Sequence, residues 1–272
     1  MADEQSIPQH ALARLKGLRS QGHPDGVFTS DFSVNEFLLV RKAGFEPVGL
    51  CVGSCIYHLG FQFAGWGSNV ELEQLSLAMY EARALAMERM RLEAANMGAD
   101  GIVGVRLTVK RLEWDSKILE FVAIGTGIVH AKGHQGFKGP NGQPFTSALS
   151  GQDFWTLLSA GYRPLEMVMG SCVYHVARRG MFATLGAVGQ NVELGNFSLA
   201  LYEAREIAME RMQLEASKAG AEGVVGADLH EGSHNWSSHV IEFFAIGTAV
   251  VPIEGHQADD IPDPKLVLSV NS

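Results

Sequence analysis

The sequence predicts an α+β protein made of two homologous copies, each a small, mainly antiparallel sheet packed on one long helix, with a short helix beside it. Three observations carry this. The chain is written twice: GFEPVGLCVGSCIYH (Gly44 to His58) returns as GYRPLEMVMGSCVYH (Gly161 to His175), 117 residues later. NVELEQLSLAMYEARALAMERMRLEA (Asn69 to Ala94) returns from Asn191 to Ala216 at an offset of 122, so copy two carries five extra residues before it. Within this block Leu75, Met79, Ala82, Ala86 and Met90 recur at helical spacing. The flanking blocks are rich in Val and Ile and bounded by glycine, as strands are. Roughly half of the aligned positions are identical. Copies of this length are domains rather than solenoid units.

The elements follow in order. Residues 1–27 form an N-terminal arm, with a short amphipathic helix expected from Pro8 to Arg19. The first copy spans 28–130. Ser33 with Glu36 has capping-box spacing, and a short helix runs from there to Gly44. Pro47 to Leu59 reads as a strand interrupted by Gly49 and Gly53, where a bulge or a close backbone approach is expected. Phe61 to Ser68 has no clear period. Glu71 to Met97 is the long helix, closed by Gly98, and Arg89–Glu93 and Arg211–Glu215 can pair along its two versions. Gly101 to Lys110 and Lys117 to Val129 are strands. The second alternates, but both sides are apolar enough to predict cover on both faces. Residues 131–144, rich in Gly, Pro and Asn, link this copy to the second, at 145–253; an acidic tail occupies 254–272.

One long helix covers one face of a small sheet. The other face must be covered by the second copy, by another chain, or by both, so burial alone predicts a homo-oligomer.

Composition excludes several classes of function. A net charge of −9 disfavours binding to nucleic acid or anionic membranes. No apolar run reaches the ~20 residues that span a bilayer. The first residues lack a signal-peptide core, and three cysteines make no secreted disulfide framework. A cytoplasmic protein with reduced thiols is expected. Gly101-Ile102-Val103-Gly104 lacks the Lys-Ser/Thr of a phosphate loop, and neither a nucleophile elbow nor His-Glu-x-x-His occurs. No enzyme is expected.

Two Cys-x-x-His pairs, Cys55 with His58 and Cys172 with His175, recur in both copies and offer ligands for a divalent metal of the zinc or copper class. On a regular strand, however, residues three apart point to opposite faces. His230, His234 and His239 resemble a metal loop, but Thr108, Leu112 and Lys117 stand at their counterparts. Trp114 and Trp236 recur at the turn between the last strands, as hairpin packing or as an anchor for an unidentified protein partner. The charges repeated on the long helices, Arg83 and Arg205 among them, suit an interface between subunits. Glu120 and Glu242, each inside an apolar strand, are the candidate interface or channel carboxylates.

YEARALAMERMRLEAANMGADGIVGVRL followed by FVAIGTGIV resembles the YbjQ-like family, labelled heavy-metal-binding. Ala82-Arg83, Gly98 to Gly104 and Gly125-Thr126 carry the likeness in copy one; Ala204-Arg205, Gly220 to Gly226 and Gly247-Thr248 carry it in copy two. The chain differs in being a tandem duplication, and in having Gly65-Trp66-Gly67-Ser68 and Gly189-Gln190 in place of the family's glycine-arginine segment. The resemblance implies an α+β fold and ring-like, commonly pentameric assembly, so that five two-domain chains would stack as two rings. The function this implies is a non-catalytic oligomeric binding or scaffold protein, with heavy-metal binding or sensing as the alternative.

Overall fold

The computed structural model describes residues 7, 11–13, 28–58, 69–111, 118–133, 136–177, 195–232 and 240–255. Most of the arm, Phe61 to Ser68, Trp114, His234, Trp236, His239 and the tail from 256 onward lie outside the described residues. Copy one contains α1 (Val34–Lys42), β1 (Phe45–His58), β2 (Val70–Glu71), α2 (Glu73–Met97), β3 (Gly101–Arg111) and β4 (Ile118–His130). Copy two contains β5 (Phe145–Thr146), α3 (Gly151–Ser159), β6 (Tyr162–His175), α4 (Gly195–Lys218), β7 (Gly223–Gly232) and β8 (Val240–Pro252).

Local chemistry sets the element ends. The expected capping box at α1 is present: the Glu36 N–H donates to Ser33 Oγ, and the Ser33 N–H donates to Glu36 Oε2 at 2.8 Å. α2 ends at Gly98, whose left-handed φ of 79° a residue with a Cβ adopts only with strain. No side chain caps the start of α2. Instead the Leu72 N–H donates to the Val173 carbonyl of copy two at 2.8 Å, so a tertiary contact sets where this helix begins.

There are two four-stranded sheets, in the orders β1-β4-β3-β5 and β2-β6-β8-β7. The copies exchange their shortest strands. β2 of copy one pairs antiparallel with the end of β6, and β5 of copy two pairs in parallel with the start of β3. The stretch 131–144 also packs: the Phe137 ring stacks on His130 at 5.1 Å and meets Phe45 edge-on at 5.0 Å.

Each long helix lies on its own sheet at close range. A Cβ added to Gly53 would sit 2.0 Å from the Ala86 carbonyl oxygen of α2, and one added to Gly170 would sit 2.0 Å from the Ala208 oxygen of α4. These are the matched strand glycines, and their reason is helix–sheet approach rather than a turn.

The two sheets are covered differently. In β8, Phe243 and Ala245 pack under α4, while Phe244 on the opposite face joins the cluster built on α2. Met167, Met169 and Val173 of β6 also face α2. The layers therefore run α4, sheet of copy two, α2, sheet of copy one. Cover on both faces is found in copy two. In copy one it is not: Leu119, Phe121 and Ala123 are buried under α2, but Glu120, Val122 and Ile124 on the outer face are only half-buried. Copy one lends its helix to the outer face of the copy-two sheet, and among the described residues no helix lies on the outer face of the copy-one sheet.

Candidate functional site

The face of α2 that meets the sheet of copy two carries Ser76, Tyr80, Arg83 and Met87, spaced by one turn of helix. Its centre is Arg83. One guanidinium nitrogen, Nη1, donates to Glu242 Oε1 at 2.6 Å, and Nη2 donates to Glu242 Oε2 at 3.1 Å, a two-pronged pair. The two side chains are 3% and 2% exposed. Ser171 Oγ donates to Glu242 Oε1 at 2.8 Å, and the Arg83 guanidinium lies 3.8 Å from the centre of the Phe244 ring. A carboxylate inside an apolar strand is tolerated here because a cation and a hydroxyl both reach it.

Around this pair run further links between the copies. Tyr80 Oη donates to Glu215 Oε1 at 2.9 Å, and Arg91 Nη2 to Glu166 Oε2 at 2.8 Å. Arg211 donates to both Glu71 oxygens, at 2.5 and 3.1 Å, and to the Ser171 carbonyl at 2.7 Å. Glu215 also accepts the Met169 N–H at 2.7 Å. The expected Arg211–Glu215 pair along α4 is thus replaced by bonds to the edge of β6 and to copy one. In copy one the same edge is treated alike. Arg89 donates to the Ser54 carbonyl at 2.6 Å, and Glu93 accepts the Val52 N–H at 2.9 Å. Both helices blunt the open edge of their own first strand.

The structure brings Arg83 and Glu242 together and leaves their counterparts apart. Arg205 is 39% exposed, donating to its neighbour Glu206 at 2.9 Å. Glu120 lies on the outer face of the sheet of copy one, opposite Ile56 in register. Cys55 and Cys172 are buried under α2 and α4 respectively. His58 is exposed and His175 is nearly buried, each on the face opposite its cysteine by strand alternation. His230 stacks on Phe244 at 6.4 Å and lies 3.2 Å from the Asp228 carboxylate. Glu71, Tyr80, Glu166 and Ser171 escaped sequence reasoning: their partners are far along the chain, and the only signal was that Glu71, Tyr80 and Ser171 sit at identical positions of the repeat.

Burial also tunes the junction. Removal from water, with the nearby Glu71 carboxylate, pushes the Cys172 thiol up to about 12. Burial and donation to Glu203 push the Tyr174 phenol up to about 12, and burial with the Glu215 charge raises Tyr80. Burial raises Glu215 and Cys55 as well. The folded thiol and phenols hold protons that the unfolded chain releases from about pH 8.5 to about pH 10. From the lower end of that range upward the unfolded state binds fewer protons, so stability falls as pH rises. The melting temperature, followed by circular dichroism, should drop from about pH 8 to about pH 10.5, and by less in Cys172→Ala.

The profile of the family described as "Putative heavy-metal-binding" matches residues 66–131 and 162–252, more than half of the chain and once in each copy. The chain belongs to this YbjQ-like family. It is 47% identical over 228 residues to the encapsulin nanocompartment protein Rv1762c of Mycobacterium tuberculosis, a match covering 84% of this chain and 87% of that one. A UPF0145 protein of Vibrio campbellii is 40% identical over 102 residues, which is 36% of this chain but 95% of the relative. One from Pseudothermotoga lettingae is 36% identical over 98 residues, covering 34% of this chain and 87% of the relative. These two YbjQ-like relatives are therefore about one copy long.

The family's metal description bears on the two Cys-x-x-His pairs. Neither Cys-x-x-His pair gives one cation two ligands, since the thiol points under the helix and the imidazole the other way. Among the described residues no three His, Cys, Asp or Glu side chains gather as a metal group. The pairs do not fit a metal site as they stand. Among the same residues no helix is long and apolar enough to cross a membrane.

Proposed function

We propose that this YbjQ-like protein is a non-catalytic, homo-oligomeric scaffold component associated with a protein nanocompartment in the cytoplasm. The observation that carries the reading is where its buried charge lies. Arg83 and Glu242 are spent on holding one copy against the next, not on lining a cleft. Buried ionisable groups that do chemistry lie in clefts that a substrate can reach. The name of the mycobacterial relative supports the compartment, and its match covers most of both chains. YbjQ-like relatives of single-copy length support the copy as the unit of assembly. Three free thiols suit a reducing compartment.

Light scattering coupled to size-exclusion chromatography tests this on the purified full chain. A particle of several chains is expected. A single species at the 29.4 kDa monomer mass would contradict the reading.

A further inference from the structure

The contact between the copies has a direction, and each half of it recurs unused elsewhere on the chain. α4 carries Ser198, Tyr202, Arg205 and Met209 where α2 carries the stripe that grips copy two. On α2 the arginine is 3% exposed; on α4 it is 39% exposed. The receiving face recurs as well. Met169 and Val173, under α2, are 5% and 0% exposed, whereas their counterparts Val52 and Ile56 on the outer face of copy one are 37% and 64% exposed. Glu120 stands opposite Ile56 in register, as Glu242 stands opposite Val173.

The strand exchange has an unused half too. Phe145 of β5 is fully buried against β3, while its counterpart Phe28 is 43% exposed. β7, the counterpart of β3, ends its sheet with that edge unpaired among the described residues. Thr29 accepts the Leu50 N–H just as Thr146 accepts that of Met167, so Phe28–Thr29 already has the required relation to its own sheet.

We propose that chains join head to tail by repeating this contact between chains. α4 of one chain covers the outer sheet face of copy one in the next, with Arg205 paired to that chain's Glu120. The next chain's Phe28–Thr29 adds to the open edge of β7. The proposal rests on the oligomeric reading above and gives it a geometry. The occupant is a second copy of this chain because the open surfaces are the two halves of a contact the chain already makes, with apolar and charged positions in register. Head-to-tail contacts close into rings or run on as filaments. Since both copies of a chain stand side by side, they share one ring, and its number of copies is even. Five chains would then form one ring of all their copies, in place of the two stacked rings expected from the sequence.

Charge reversal tests this by sedimentation velocity on the full chain. Arg205→Glu alone, or Glu120→Arg alone, sets like charges against each other at every contact between chains. Each should raise the apparent dissociation constant on the order of a hundredfold or more. In the double variant Arg205→Glu, Glu120→Arg every contact again brings opposite charges together, whatever the number of chains, and assembly should return. Circular dichroism should match the wild-type chain throughout, because neither residue is buried within one chain. If either variant assembles as wild type does, the contact is overturned and the oligomeric reading stands. If both single variants dissociate and the double variant does not reassemble, the Arg205–Glu120 pairing is overturned. A monomeric wild-type chain overturns both the contact and the reading beneath it.

Discussion

Arg83→Ala should lower the free energy of unfolding by about 3–5 kcal/mol, and Glu242→Gln by a comparable amount. Each leaves one partner of a buried pair without its counter-charge, at a place where water does not reach. The carboxylate left by Arg83→Ala would keep the Ser171 hydroxyl, which donates at 2.8 Å, but would lose the guanidinium. The guanidinium left by Glu242→Gln would keep the Phe244 ring and a neutral amide. The double variant Arg83→Met, Glu242→Leu should return stability to about the wild-type value, because apolar groups of similar volume need no desolvation to be offset. The pair then acts as a register device. It fixes which turn of α2 meets which residue of β8, and contributes little net stability. The exposed Arg205–Glu206 pair offers the contrast: its loss should cost about 0–1 kcal/mol. Chemical denaturation of the four variants checks these values. Single variants of Arg83 and Glu242 within about 1 kcal/mol of wild type would contradict the account.

Gly170→Ala and Gly53→Ala should each cost about 3 kcal/mol, the upper part of the range for overpacked cores. In each case the obstacle is helix backbone rather than the end of a flexible side chain. The new methyl group would stand 2.0 Å from the Ala208 or Ala86 carbonyl oxygen, and the next helical N–H is close behind. The helix must lift off its sheet, and the alanines that face that sheet lose contact. In copy two these are Ala200, Ala204 and Ala208, all buried. Gly170→Ala should also disturb the junction, since Arg211 would lose its hold on the Ser171 carbonyl and Glu71. The two variants should therefore differ. Gly53→Ala lowers stability alone, whereas Gly170→Ala also loosens copy one from copy two. Limited proteolysis with denaturation separates these effects, and equal behaviour of the two variants would count against a junction built on β6.

Much of this fold is legible in the chain because it is written twice. The repeat revealed two homologous copies, the helical spacing of Ala82, Ala86 and Met90 pointed to α2 and its counterpart α4, and Ser33 with Glu36 marked the start of α1. The exchanged strands were not legible. Val70–Glu71 and Phe145–Thr146 are two residues each, too short to show a period, and both pair with distant partners. The burial of the matched charges was also hidden. Arg83 and Arg205 sit in the same Tyr-Glu-Ala-Arg sequence, yet one is buried and the other is not. Identical local sequence cannot distinguish them, because the difference comes from tertiary contact: α2 meets the sheet of copy two, and among the described residues no second sheet meets that side of α4. Likewise the Glu215 partners, Tyr80 across the junction and Met169 on β6, lie where helical i, i+4 reasoning does not reach.

A density map of the assembled particle, by electron cryomicroscopy of the purified full chain, tests the central claim most directly. The account predicts that Arg205 of each chain lies within hydrogen-bonding distance of Glu120 of the next, in the geometry of Arg83 and Glu242 within the chain. It also predicts that α4 covers Val52 and Ile56 of that neighbour. A particle in which Arg205 and the outer face of the copy-one sheet both meet solvent would contradict it.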